Sequence, residues 1–237
     1  MNPPLLSLNS LLRALMALGG VALFVLALPV ARGAWLAQKD DAFYAKVRTS
    51  QPYGLDETHA GIALIDAAVA ASPSASRLVQ RSELLGALAA NMALKVTDDQ
   101  RLAWRRQARA DLEAGLADDP ARSLDWLRLA IIHSWLDGPT RKIAELLLVS
   151  IDTGRMMSPL WPSRMRMILD NWGYFTDEEK ARLNDYIVMT WRQTDDRRWF
   201  GRAVYDPFDE VILRYLLRDV PKAQEELSKW ILDARKK

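Results

Sequence analysis

The chain has 237 residues, with 32 Lys and Arg against 30 Asp and Glu and no cysteine. The lack of cysteine excludes disulfides, thiolate metal sites, a thiol nucleophile and lipoprotein acylation. The two surplus positive charges, Arg13 and Arg32, lie at the N-terminus, so the remainder is neutral and has no single-signed field with which to hold nucleic acid.

From Ala14 to Ala31 no residue carries a charge. At 1.5 Å per residue this run makes roughly 27 Å of helix, about the hydrocarbon thickness of a bilayer. The segment is apolar all round, unlike an amphipathic core helix. Two outcomes fit it. It is retained as a signal anchor, which its length and the flanking Arg32, Trp35 and Lys39 favour, or it is cut as a signal peptide, Pro29 breaking the helix ahead of the small residues Ala31 and Gly33 that a signal peptidase reads. The positive-residue count, Arg13 before against Arg32, Lys39, Lys46 and Arg48 after, argues for a cytoplasmic body. Long domains translocate regardless of such counts, and the reading adopted is a single-pass bacterial inner-membrane protein with a periplasmic body. The chain then divides into a tail (1–13), a transmembrane anchor (14–34), a linker with a short helix (35–55) and a helical domain (56–237).

Beyond the anchor every segment has helical period, which predicts an all-α fold. Helices are predicted over 58–72, 76–95, 99–119, 123–137, 139–153, 161–172 and 176–193, with two more around Asp209–Leu217 and Lys222–Ala234, each bounded by Asp, Asn, Gly or Pro. Thr176 and Glu179 have the spacing of a capping box. Short connections make neighbours antiparallel. Ala108, Leu112, Gly115 and Pro120, then Trp126, Leu129 and Ala130, have the spacing of consecutive tetratricopeptide helices, with an echo at Gly61, Ile65, Ala68 and Pro73. The expectation is a degenerate tetratricopeptide-like α-solenoid, in which small residues admit close helix approach and prolines end each hairpin.

Ala144 and Ser150 on one helix, Pro159 and Arg164 opening the next, Trp172 closing it and Trp191 ending the following one carry a closer resemblance. This stretch of about fifty residues, with the N-terminal anchor and the overall size, resembles the VpsP-like membrane-anchored helical proteins of bacterial exopolysaccharide and capsule systems. "GRMMSPLWP" departs from that pattern, where a shorter glycine- and proline-rich turn is expected. The resemblance implies an accessory factor rather than a glycosyltransferase, with partners among the protein components of an envelope polysaccharide machine.

No catalytic, cofactor or metal signature stands out. His59 and His133 lie on separate helices, and His133 falls on an apolar face as a packed core residue. The paired carboxylates, such as Asp98/Asp99 and Glu178/Glu179, sit at helix ends as capping groups. Ser82-Glu83 lacks the groove motifs of a helical transglycosylase. Arg101, Arg105 and Arg109, beside Arg106, form a basic stripe; Arg105, Arg106 and Arg109 are candidate contacts for a protein or anionic polysaccharide. Among the tryptophans, Trp161, Trp199 and Trp230 are the surface candidates. Trp199 stands in the charged loop "DDRRWFGR" (195–202), which turns at Gly201. The function expected is a non-catalytic, membrane-anchored scaffold, the alternative being a direct binder or processor of glycan.

Overall fold

In a computed structural model, residues 8–236 are described, with side chains from Leu11 onward, and every regular element among them is helical. Residues 1–7 of the expected tail lie outside the described residues. The helices are α1 (Leu8–Arg48), α2 (Leu55–Ala71), α3 (Ala75–Ala90), α4 (Asp98–Asp118), α5 (Ser123–Asp137), α6 (Arg141–Thr153), α7 (Trp161–Asp170), α8 (Asp177–Gln193), α9 (Arg198–Arg202), α10 (Pro207–Leu216) and α11 (Ala223–Arg235). Short 3-10 turns at Ser158–Leu160 and Trp172–Tyr174 flank α7. The chain divides into two compact units, the first ending at Asp111 and the second beginning at Leu112.

In the first unit, α1 is one helix through the stretch expected to contain a linker. Pro29 sits inside it, where the ring removes one backbone donor and the turns on either side carry the helix on. Its N-terminal half is long and apolar enough to cross a bilayer, and none of that window is buried by the rest of the chain. Leu15, Met16, Leu23, Phe24 and Leu26 are all exposed. The Lys39 ammonium stands 3.6 Å from the centre of the Trp35 ring just past the apolar run.

The C-terminal half of α1 is a packing element. A side chain at Gly61 of α2 would overlap the Phe43 ring, and one at Gly33 would press on the Ala68 carbonyl oxygen at 3.1 Å. The pairs 43–61 and 33–68 run in opposite senses, so α1 and α2 are antiparallel. Gly33 also faces the Arg77 guanidinium, and the Tyr44 hydroxyl donates to Glu83, so α3 runs parallel to α1. Ile65, Ala68, Leu84 and Leu88 fill the space between with no exposed surface. Asp40 is fully buried there, and neither of its carboxylate oxygens has a hydrogen-bond partner among the described residues.

Helix α3 stops at Ala90, five residues before the end that periodicity predicts. The Asn91 amide donates to the Tyr53 hydroxyl at 2.7 Å, its oxygen caps Ala93 N–H at 3.0 Å, and Arg101 collects the carbonyls of Ala89, Asn91 and Leu94 at 3.2, 2.7 and 2.6 Å. Those side-chain bonds satisfy the turn's backbone outside a helix.

In the second unit, α5 and α6 form an antiparallel hairpin joined at Gly138, whose φ of 70° is the left-handed conformation glycine favours. The Ser123 and Ser150 hydroxyls each donate to the other residue's carbonyl, at 2.7 and 2.8 Å. Arg164 of α7, wholly buried, closes this joint: its Nε donates to Ser150 Oγ at 3.2 Å and its Nη1 to Gly154 O at 2.9 Å, and its Nη2 also reaches Ser123 Oγ. Helix α8 begins with the predicted capping box, Thr176 Oγ1 accepting from Glu179 N–H and Glu179 accepting from Thr176 N–H. Arg141 at the start of α6 holds the same Glu179 with a 2.6 Å bond and donates to Tyr174 O at 2.9 Å.

Candidate functional site

The sequence-predicted arginines share one face of α4 only in part. Arg101 is buried and serves the 91–97 turn, so it leaves the expected basic stripe. Arg105 and Arg109 are half-buried and engaged with other groups of the protein, and Arg106 is exposed. Spacing of four residues puts side chains on one face but does not say whether that face meets solvent.

Trp199, in the second unit, is half-buried. Its ring stacks on Phe200 at 3.8 Å, Phe200 meets Trp191 edge-on at 4.8 Å, and its indole N–H donates to Thr194 Oγ1 at 3.2 Å. Of the segment expected to be a loop (195–202), residues 198–202 form helix α9. Gly201 is needed for contact rather than for a turn, because a Cβ there would overlap the backbone of Trp230 on α11. Trp161 is buried, with its indole N–H donating to Arg155 O at 3.1 Å. Trp126 is half-buried and ties α5 to Pro120 O at 2.8 Å, while Leu129 and Ala130 enter the core.

Helix α10 carries a surface the sequence reading missed. Ile212, Leu213 and Leu216 are buried, yet Phe208, Val211 and Tyr215 on the opposite side are 62 %, 62 % and 56 % exposed. Spacings of three and four align the exposed trio on one stripe, next to Tyr205, which is 76 % exposed. No charge interrupts the stripe: Glu210 and Arg214 pair with each other at 2.7 Å along its flank. Arg166 lies over the Tyr205 ring at 4.4 Å, and Arg218 over Tyr215 at 4.3 Å.

The stripe has a fixed base. Asp206 caps α10 through the N–H groups of Phe208 and Asp209 at 2.8 and 2.9 Å, and Pro207 opens the helix. Asp209 accepts a forked pair of bonds from Arg166 at 2.7 and 2.9 Å and one from Tyr205 N–H at 2.9 Å. Burial pushes the Asp209 carboxyl up, but these donors outweigh it and hold it below the ordinary carboxylate value.

Glu83 and His133, two groups the sequence offers for chemistry, are engaged with neighbours. Glu83 accepts from Tyr44 and faces Arg48 at 3.7 Å. His133 is nearly buried, with Nδ1 3.0 Å from Asp137 and Nε2 3.6 Å from Glu113. Among the described residues no three metal-ligating side chains come together. Asp66 is exposed and pairs with Arg81 at 2.9 Å. No family model matches the chain, and no curated protein or solved structure matches it either.

Proposed function

We propose that this protein is a non-catalytic adaptor, held at a membrane by α1, that acts by binding other proteins. The observation that carries the reading is the apolar stripe of α10: a helix apolar on two sides leaves Phe208, Val211 and Tyr215 in water unless something covers them. Exposed aromatic residues beside arginines are the composition of protein-binding surfaces. The unburied apolar half of α1 supports the tether, in keeping with a single-pass inner-membrane protein whose body is periplasmic. Antiparallel hairpins such as α1–α2 and α5–α6 support stacking in the manner of a degenerate tetratricopeptide-like solenoid. The resemblance to VpsP-like accessory proteins suggests partners in exopolysaccharide or capsule biosynthesis. Arg106 remains a candidate contact on a second face, with Arg105, Arg109 and Trp199 in supporting positions.

A photo-crosslinking residue at Val211 tests this reading in membranes. The adaptor reading predicts a discrete crosslinked protein that disappears when Phe208 and Tyr215 are both changed to serine. Crosslinking no greater than from a probe at exposed Lys142 would contradict it.

A further inference from the structure

A cleft of about 1090 Å³ in the second unit lies between the 192–202 segment and α11. Its walls are fixed, since Gly201 of α9 rests directly on the Trp230 backbone of α11. Much of its charge is internally matched: Arg198 with Asp196 at 2.7 Å, Arg197 with Glu226 at 2.8 Å, and Lys236 with Asp233 at 3.5 Å. What remains is mostly donor. Arg192 and Arg202 line the cleft with no hydrogen bond or ion pair among the described residues. Asp195 is the one lining carboxylate left without such a partner among the described residues.

The local field agrees with this inventory. The Asp196 carboxyl is held down to about 2, chiefly by the Arg198 hydrogen bond, with Arg202 adding to it through space.

We infer that this cleft binds an acidic polysaccharide, Arg192 and Arg202 taking the carboxylate of a uronic-acid unit. A guanidinium offers a planar fork that matches a carboxylate in two parallel bonds. The Asp195 carboxylate can accept from sugar hydroxyls, which a uronic-acid unit offers beside its carboxylate and an acidic peptide side chain does not, and this favours the glycan over an acidic peptide. A volume of about 1090 Å³ stands at the upper end of small-ligand clefts, enough for more than one ring. The site uses residues separate from the α10 stripe, so it stands whether or not the adaptor reading does.

The test is binding of polygalacturonate to the purified full-length chain in detergent, with neutral dextran and poly-glutamate as comparisons and helicity checked by circular dichroism. The inference predicts binding that weakens with salt, exceeds that of poly-glutamate and is absent for dextran. It further predicts a loss of at least about tenfold in the Arg192→Glu/Arg202→Glu variant with helicity unchanged. No binding of polygalacturonate at low salt, or equal affinity in the double variant, overturns the site. Poly-glutamate binding as tightly as polygalacturonate, or dextran binding equally well, overturns the assignment to an acidic glycan.

Discussion

Arg164 and Ser150 are joined through three hydrogen bonds, the guanidinium donating to both the hydroxyl and the carbonyl oxygen of the same residue deep in the second unit. The arginine has no exposed surface, and its partners are hydroxyls and backbone carbonyls from Ser123, Ser150, Gly154 and Tyr186. It therefore fastens the start of α5, the end of α6 and α8 to α7. Arg164→Ala leaves several buried acceptors without a donor, and the expected cost is about 3 kcal/mol or more. Ser150→Ala is expected to cost about 1 kcal/mol. Denaturant melts of the full chain in detergent, followed by circular dichroism, check the order of the two.

Gly201→Ala is expected to destabilise by about 1 to 3 kcal/mol, because the new methyl group meets the backbone of Trp230 and the two helices must separate. The same change should alter near-ultraviolet circular dichroism from the Trp191, Phe200 and Trp199 stack. Gly173→Ala, where nothing lies within 4 Å of the added Cβ, serves as the control.

Asp40 gives a prediction of the opposite sign. A carboxylate with no exposed surface and no hydrogen-bond partner among the described residues opposes the packing of α1 against its neighbours. Asp40→Asn keeps the shape and removes the charge, and at pH 8 it is expected to raise stability by about 1 kcal/mol or more. Thermal melts of the two proteins in the same detergent decide it.

The Arg141 bonds, helped by the Thr176 N–H and opposed by burial, hold the Glu179 carboxyl down from 4.5 to about 2. A depressed folded-state value means that Glu179 stabilises the fold fully above its unfolded value near 4.5 and loses that contribution as the pH falls towards 2. The melting temperature is expected to fall across that window. Glu179→Gln should lower it at pH 7 and make the acid slope shallower, which melts at pH 7, 5, 4 and 3 would detect.

Where local chemistry alone sets the chain's path, the sequence was readable. Thr176 and Glu179 announced their cap, and the helix boundaries near Ala71, Asp118 and Asp137 follow from Pro73, Pro120 and Gly138. Burial was harder to read. Arg101 and Arg105 look alike in a four-residue pattern, and only the carbonyls of the 91–97 turn draw Arg101 inward. Gly201 read as a turn because its close neighbour, Trp230, lies 29 residues away in sequence. A usable signal for the α10 stripe was present: Ile212 and Leu216 mark one face, and Phe208, Val211 and Tyr215 mark another at the same helical spacing. A helix with two apolar faces in a short, charge-flanked segment can bury only one of them against its own unit.

The account rests most heavily on α1 as a retained membrane helix that continues into the folded body. Alkaline carbonate extraction of membranes carrying the full-length chain, followed by N-terminal sequencing of the protein in the pellet, tests this directly. The account predicts that the protein stays in the pellet with the residues before Ala14 still attached. Release into the carbonate supernatant, or a mature N-terminus at Ala34, would contradict it.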